Sequence, residues 1–259
     1  MIVRHALALV AILATVAGTA QAQVAQEDAV AVASFPHDPD AFTQGLFIHD
    51  NTLYESTGRV GASSLRRVDL ETGAVEQATD IEPPYFGEGS VRLGDRIFML
   101  TWQAQTGFVY DAGTLERTGT FAYSGEGWGL THDGQALILS DGSSTLRRID
   151  PDDFSTIGTI EVTLGGRPVR RLNELEWVDG EIWANVWMTP MIVRIDPDSG
   201  HVTGLVNLTS VIPAGLEHSR EAVPNGIAWN AQTGQVFVTG KLWPVLYEIS
   251  LPQSAGTDE

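Results

Sequence analysis

Residues 172–206, LNELEWVDGEIWANVWMTPMIVRIDPDSGHVTGLV, read as a strand, a tight turn at Asp179-Gly180, a second strand, a loop, a third strand, an Asp-Pro turn and a fourth strand. Apolar residues alternate or form short runs between Gly, Asp and Pro, with no helical period, as short β-strands require. Working outward, the same pattern recurs at 43–75, 87–121, 127–160 and, without a fourth strand, at 224–250. The first turns of these repeats are His49-Asp50-Asn51, Gly94-Asp95, Asp133-Gly134 and Gln232-Thr233-Gly234. Gln44, Glu88, Trp128, Asn173 and Asn225 occupy one slot of the repeat, where the first strand begins. Gly58, Trp102, Gly142, Trp187 and Lys241 occupy a second slot, where the second strand ends, 14 residues on in four repeats and 16 in the last. The first slots recur at intervals of 44, 40, 45 and 52 residues. Four strands per unit at such periods predict an all-β, five-bladed β-propeller with antiparallel blades. A β-sandwich has similarly spaced strands but gives no reason for a matched slot spacing. The last repeat lacks its outermost strand, and the alternating segment Val30–Phe35 is expected to supply it and close the ring.

Length and composition set the limits. Arg4 followed by the apolar run 6–17 and the small-residue pattern Ala20-Gln21-Ala22 predicts a signal peptide over 1–22, with the propeller over 23–253 and a disordered tail over 254–259. An export signal with periplasmic or secreted destination follows, and the apolar run is too short to serve as a membrane span. The formal charge of −18, or −19 without Arg4, argues against nucleic acid and anionic membranes as partners and gives a weak pull on cationic peptide amino termini. Cysteine is absent, so the fold relies on its core rather than on disulfides. The chain is expected to act as a monomer.

Matching slots in a rotational repeat converge on the axis, so the ten slot residues are expected to form one site at one end of the channel. Lys241 is the only lysine in the chain, and Glu88 is the only acid in a slot. Glu88 lies between Gly87 and Gly89, which leave space around its carboxylate, and it is the candidate general base. Gln44, Asn173 and Asn225 are amides suited to orienting a polar substrate, although Asn225 equally suits a hydrogen bond between blades. Trp102, Trp128 and Trp187 are candidates for an apolar pocket wall, whereas Trp177, Trp183 and Trp229 read as core. The link 207–224 is the longest between repeats; a short helix is expected within Gly215–Val223, over the mouth of the site. The six histidines have no metal-ligand spacing, and no nucleophile-elbow, P-loop or zincin motif occurs.

The strings His37-Asp38-Pro39, Phe42-Thr43-Gln44-Gly45-Leu46, Tyr54-Glu55-Ser56-Thr57-Gly58, Phe86-Gly87-Glu88-Gly89, Gly125-Glu126-Gly127-Trp128-Gly129-Leu130, Leu172-Asn173-Glu174-Leu175-Glu176 and Thr239-Gly240-Lys241-Leu242-Trp243 occur in this order. Together they resemble the plant- and bacterial-type glutaminyl-peptide cyclotransferases over residues 35–250. The resemblance implies a five-bladed propeller that uses no metal or other cofactor and converts N-terminal glutamine of peptides and proteins to pyroglutamate with loss of ammonia. It also implies Glu88 as catalytic acid/base, with Gln44, Asn173 and Lys241 as polar partners and Phe42, Phe86, Trp102, Trp128 and Trp187 as the aromatic wall. Two rival readings are a Ca²⁺-dependent lactonase-like hydrolase with Glu88, Asn173 and Asn225 as ligands, and a non-catalytic periplasmic peptide-binding propeller.

Overall fold

In the computed structural model, which describes residues 24–251, each repeat forms one antiparallel blade of four strands. The expected signal peptide and C-terminal tail lie outside the described residues. Blade 1 comprises Thr43–His49, Thr52–Thr57, Ser64–Val68 and Val75–Asp80. Blade 2 comprises Gly87–Leu93, Arg96–Thr101, Thr106–Asp111 and Arg117–Ala122. Blade 3 is built from Leu130–His132, Leu137–Leu139, Thr145–Ile149 and Thr156–Glu161, and blade 4 from Leu172–Val178, Glu181–Val186, Met191–Ile195 and Val202–Asn207. Blade 5 takes Pro224–Asn230, Gln235–Gly240 and Val245–Ser250, and its fourth strand is the N-terminal Val30–Pro36, paired antiparallel to Val245–Ser250 as expected. Three short strands were not foreseen, two of them the antiparallel pair Thr163–Leu164 and Arg167–Pro168 between blades 3 and 4. The third, Ala25–Asp28, adds in parallel to the outer edge of blade 4, so the segment before the first repeat fastens blade 4 to blade 5.

Burial follows the strand order. Inner strands are buried on both faces at their opening residues, whereas the outermost strand of blade 1 alternates with solvent. Five apolar clusters fill the five blade interfaces. For example, Phe47, Tyr54 and Leu65 of blade 1 meet Ile97, Met99 and Phe108 of blade 2, while Leu46 and Leu53 meet Phe237 and Leu246 of blade 5. Trp183 is buried in the interface between blades 4 and 5, and Trp177 and Trp229 pack against the cores as expected. The turn between third and fourth strands repeats as chemistry too. Asp69, Asp111, Asp150 and Asp196 each accept the backbone N–H three residues on, from Thr72, Thr114, Asp153 and Ser199.

Ring closure leaves the inner edge of the first strands facing the axis, and in blades 1 and 5 side chains satisfy it. Glu174 of blade 4 accepts Leu46 N of blade 1 at 3.3 Å and Ile227 N of blade 5 at 2.9 Å, and Glu176 accepts Trp229 N at 2.9 Å. At the seam between blades 5 and 1, His37 bridges Trp243 O at 2.7 Å and Glu55 at 3.1 Å, and Thr43 donates to the same carboxylate at 2.7 Å.

The link before blade 5 departs from expectation. It holds only a single 3₁₀ turn, Thr209–Val211, and Gly215–Val223 forms turns and bends rather than a helix. Gly215 sits at φ +88°, outside helical space, and the carbonyls of Ala222 and Val223 are taken by Trp243 Nε1 and Lys241 N, each at 3.0 Å. Those carbonyls tie the end of the link to blade 5.

Burial pushes the Glu176 carboxyl from 4.5 up to about 8, against the opposing backbone hydrogen bonds from Trp229 and Trp177. The folded state therefore holds this proton where the unfolded chain has released it. Stability from this group is complete below pH about 4.5 and is lost as pH rises through about 8. The melting temperature is expected to fall over that window, and Glu176→Gln, which keeps the acceptor oxygen, is expected to flatten the fall. A pH series of thermal melts on both proteins measures it.

Candidate active site

The inner strands do not begin as regular ladders. In blades 1, 2, 4 and 5 the pairing slips between Thr43 and Gly45, Gly87 and Ser90, Leu172 and Leu175, and Pro224 and Ile227. In blade 3 Trp128 N donates to Ser140 O while Ser140 N donates to Gly129 O, so two residues again face one. Such bulges turn a side chain out of the normal alternation, and every first-slot residue lies at one. The second slot closes onto the same place. Gly58 N, Trp102 N, Trp187 N and Lys241 N donate to Phe42 O, Phe86 O, Arg171 O and Val223 O, at 2.8–3.0 Å. Each acceptor lies two residues before a first slot, so both slots meet at one end of the channel, as the repeat predicts.

A cavity of roughly 320 Å³ opens there, lined by Phe42, Gln44, Phe86, Glu88, Trp102, Trp128, Asn173, Trp187 and Lys241. All nine residues singled out from sequence meet in it. Asn225 does not: it is fully buried and donates from Nδ2 to Thr43 O at 3.0 Å and Gln44 Oε1 at 3.3 Å. It is a joint between blades 5 and 1, and it occupies the Gln44 carbonyl so that the Gln44 Nε2 donors are left for the cavity. The glycine slots serve the wall. A Cβ on Gly58 would lie 2.3 Å from the Phe86 ring, and one on Gly142 would lie 2.6 Å from the Trp128 ring.

The aromatic wall has two runs. Phe42 meets Phe86 edge-on at 6.1 Å, and Phe86 meets Trp102 at 5.8 Å; across the cavity Trp128 meets Trp187 at 5.5 Å. Trp102 and Trp187 reach the mouth and remain 39% and 37% exposed, leaving an apolar rim open to a ligand. Glu88 and Lys241 lie at the other extreme, 5% and 6% exposed. Among the described residues neither side chain makes a hydrogen bond or a contact ion pair; Lys241 Nζ lies 4.7 Å over the Phe42 ring. Burial pushes the Glu88 carboxyl well above the usual range, Lys241 opposing and Glu126 adding to the rise. Burial brings the Lys241 ammonium down to about 8, with Glu88 opposing. The site thus offers a proton acceptor of raised affinity and an ammonium that is easily deprotonated in one cavity.

Four lining residues were not singled out from sequence: Arg59, Arg220, Glu221 and Val223. Arg59 follows slot Gly58 and lies 4.7 Å over the Phe42 ring, and it crosses to Glu221 at 3.1 Å. The other three belong to the 207–224 link, whose length was the available signal for a position over the mouth. Glu126 lies just outside the cavity, and its only sequence signal was its glycine-flanked string.

Fold and site together define a class: a β-propeller enzyme with a buried acid and a buried amine at one end of its axis. A family profile described as glutamine cyclotransferase matches residues 4–251. A glutaminyl-peptide cyclotransferase of Arabidopsis thaliana is 47% identical over 228 residues, spanning 86% of this chain and 71% of the plant protein. The crystal structure of Myxococcus xanthus glutaminyl cyclase superposes with a TM-score of 0.83 at 37% identity, covering 88% of this chain and 98% of the other. The chain belongs to the glutamine cyclotransferase family, and its enzyme class is glutaminyl-peptide cyclotransferase.

Gly58→Ala is expected to force the Phe86 ring out of the wall. Overpacking of this kind costs about 1–3 kcal/mol, and a misplaced wall is expected to lower kcat/KM by about 10²-fold. Thermal melts and steady-state kinetics on the one variant separate the two effects.

Proposed function

We propose that this chain converts the N-terminal glutamine of peptides and proteins to pyroglutamate with release of ammonia, using Glu88 as its proton carrier. The observation that carries the mechanism is a carboxyl of raised proton affinity, without a hydrogen-bond partner among the described residues, in the same cavity as the sole lysine. Nucleophile and electrophile belong to one residue, so the enzyme must fold that residue until its α-nitrogen approaches its own Cδ. A narrow aromatic cavity supplies this restriction, the kind of orientation that makes intramolecular reactions fast.

The free α-amino group of a peptide titrates near about 7.7–8.0. An acid of ordinary strength would be a poor acceptor for that proton, and burial of Glu88 moves its affinity toward the match that general-base catalysis favours. Glu88 takes a proton from the α-ammonium, and the freed amine attacks Cδ. The new N–Cδ bond forms as the carbonyl oxygen takes up negative charge. Lys241 Nζ, Gln44 Nε2 and the Asn173 amide are the donors available to that oxygen. Glu88 then passes this proton to the side-chain nitrogen and accepts the second proton from the α-nitrogen. The oxyanion collapses to the lactam carbonyl, the C–N bond breaks, and the departing ammonia takes that second proton. The α-nitrogen loses two protons overall and the departing nitrogen gains two, leaving as ammonium.

The Ca²⁺-hydrolase reading needs Glu88, Asn173 and Asn225 to converge as ligands, and Asn225 is instead fully buried outside the cavity lining that Glu88 and Asn173 share. We further propose that the protein is exported, on the strength of the signal-peptide pattern in residues 1–22.

Ammonia release from Gln-Ala is the deciding assay. Glu88→Gln is expected to lower kcat by at least about 10²-fold with the melting temperature kept or raised; near-normal turnover removes Glu88 from the reaction. Lys241→Ala is expected to lower kcat more than it raises KM, and in the parent protein activity is expected to decline above pH about 8 as Lys241 loses its proton. Full activity in excess EDTA is expected, and loss in EDTA restored by Ca²⁺ would favour the hydrolase-type site.

A further inference from the structure

We infer that Glu126 is a positioning residue of this reaction: one carboxylate that joins the two runs of the aromatic wall and holds a fixed negative charge beside Glu88. The inference rests on the cyclotransferase reading for its chemistry, but its geometry stands alone. Glu126 Oε2 accepts both indole N–H groups that flank the cavity, from Trp102 at 2.7 Å and Trp128 at 2.8 Å, and Oε1 accepts Gln103 Nε2 at 2.9 Å. Trp102 ends the run Phe42–Phe86–Trp102, and Trp128 begins the run Trp128–Trp187. Among the described residues Trp102 and Trp128 do not pair ring to ring, so this carboxylate is the joint between the halves of the wall.

The local backbone is shaped to deliver it. Gly125 takes φ +78°, and a Cβ on Gly127 would lie 2.6 Å from the Tyr123 hydroxyl. Gly127 N donates to Trp102 O at 2.9 Å, and Arg147 donates to Ser124 O at 2.6 Å and to Glu126 O at 3.1 Å. The segment between blades 2 and 3 is thus tied to both, with Glu126 pointing back at the indoles. Burial works against its ionisation, but donation from Gln103, Trp128 and Trp102 more than offsets this and holds it below the usual carboxylate range. It therefore stays an anion at neutral pH and accepts only, which suits three N–H donors.

Two consequences follow for the reaction. The separation of the Trp102 and Trp128 rings sets the width available to a glutamine closing into a five-membered ring. Glu126 also opposes ionisation of Glu88. The other titratable groups coupled to Glu88 are Lys241, which favours its ionisation, and Tyr123, whose burial keeps it a neutral phenol. Removing the Glu126 charge while keeping its oxygen therefore lets Glu88 ionise at lower pH.

The test uses Glu126→Gln and Glu126→Ala in the full chain, assayed for ammonia release from Gln-Ala across pH, with indole N–H spectra recorded by NMR. Glutamine retains a carbonyl for both indoles, so Glu126→Gln is expected to keep kcat/KM at its optimum within about fivefold while its acidic limb moves to lower pH. Glu126→Ala is expected to lose about 10²-fold in kcat/KM, with the Trp102 and Trp128 N–H signals shifting toward solvent-exposed values. Equal activity and equal pH profiles in parent and both variants overturn the proposal, as do unchanged indole signals in Glu126→Ala. Should the alanine variant fail to fold, an unmoved acidic limb in Glu126→Gln overturns it instead. Absence of ammonia release from the parent protein would count against the cyclotransferase reading, while the indole spectra would still decide the clamp.

Discussion

At the opening of every inner strand, two residues stand opposite one, and the chemistry of this protein depends on that slip. A regular antiparallel ladder would send successive side chains alternately into the two neighbouring blade interfaces, where apolar groups belong. The extra residue breaks the alternation at one rung and directs a polar or aromatic side chain to the end of the channel. Five blades repeat the slip, so Gln44, Glu88, Trp128 and Asn173 arrive at one cavity from four directions. In the fifth, Asn225 turns inward instead and braces Gln44. The same rung ties the site together, because in four of the blades the backbone at the second slot donates to a carbonyl two residues before the first slot.

A cavity built this way holds groups that burial disfavours. Glu88 and Lys241 are nearly dry and lack contact partners among the described residues, and Glu174 and Glu176 are carboxyls sealed into the ring. Each is a cost to stability at neutral pH that the five apolar interfaces must offset. The costs differ in kind. Glu174 and Glu176 replace the missing neighbour of an inner strand edge, so their oxygens are structural. The Glu88 carboxyl has no hydrogen-bond partner among the described residues, and a buried acid sharing a cavity with an amine suits a proton-transfer site.

Much of this was readable in the chain. The five-fold pattern and the shared end of both slots were legible because a rotational repeat converts equal spacing into equal position. Lys241 was conspicuous as the sole lysine, and Glu88 as the sole acid in a slot. The turn Asp residues were equally plain, since each side chain bonds its own neighbours. Other features left no periodic trace. Gly215–Val223 was expected to hold a short helix and instead forms turns and bends whose end is tied to Trp243 and Lys241. Arg59, Arg220 and Glu221 meet the cavity through loops whose course no period dictates, and Ala25–Asp28 is too short to advertise its pairing.

By itself, then, the amino-acid sequence determined the architecture, the blade boundaries and seven cavity residues in the repeat slots, because these follow from spacing and residue type, which are local and repeated; Phe42 and Phe86 were expected only from the family resemblance. Tertiary structure alone decided which amides face inward, how Glu126 ties Trp102 to Trp128, and how far burial moves Glu88 and Lys241 from their ordinary proton affinities. Those properties depend on distances between residues far apart in the chain and on the exclusion of water, and neither exists until the ring has closed.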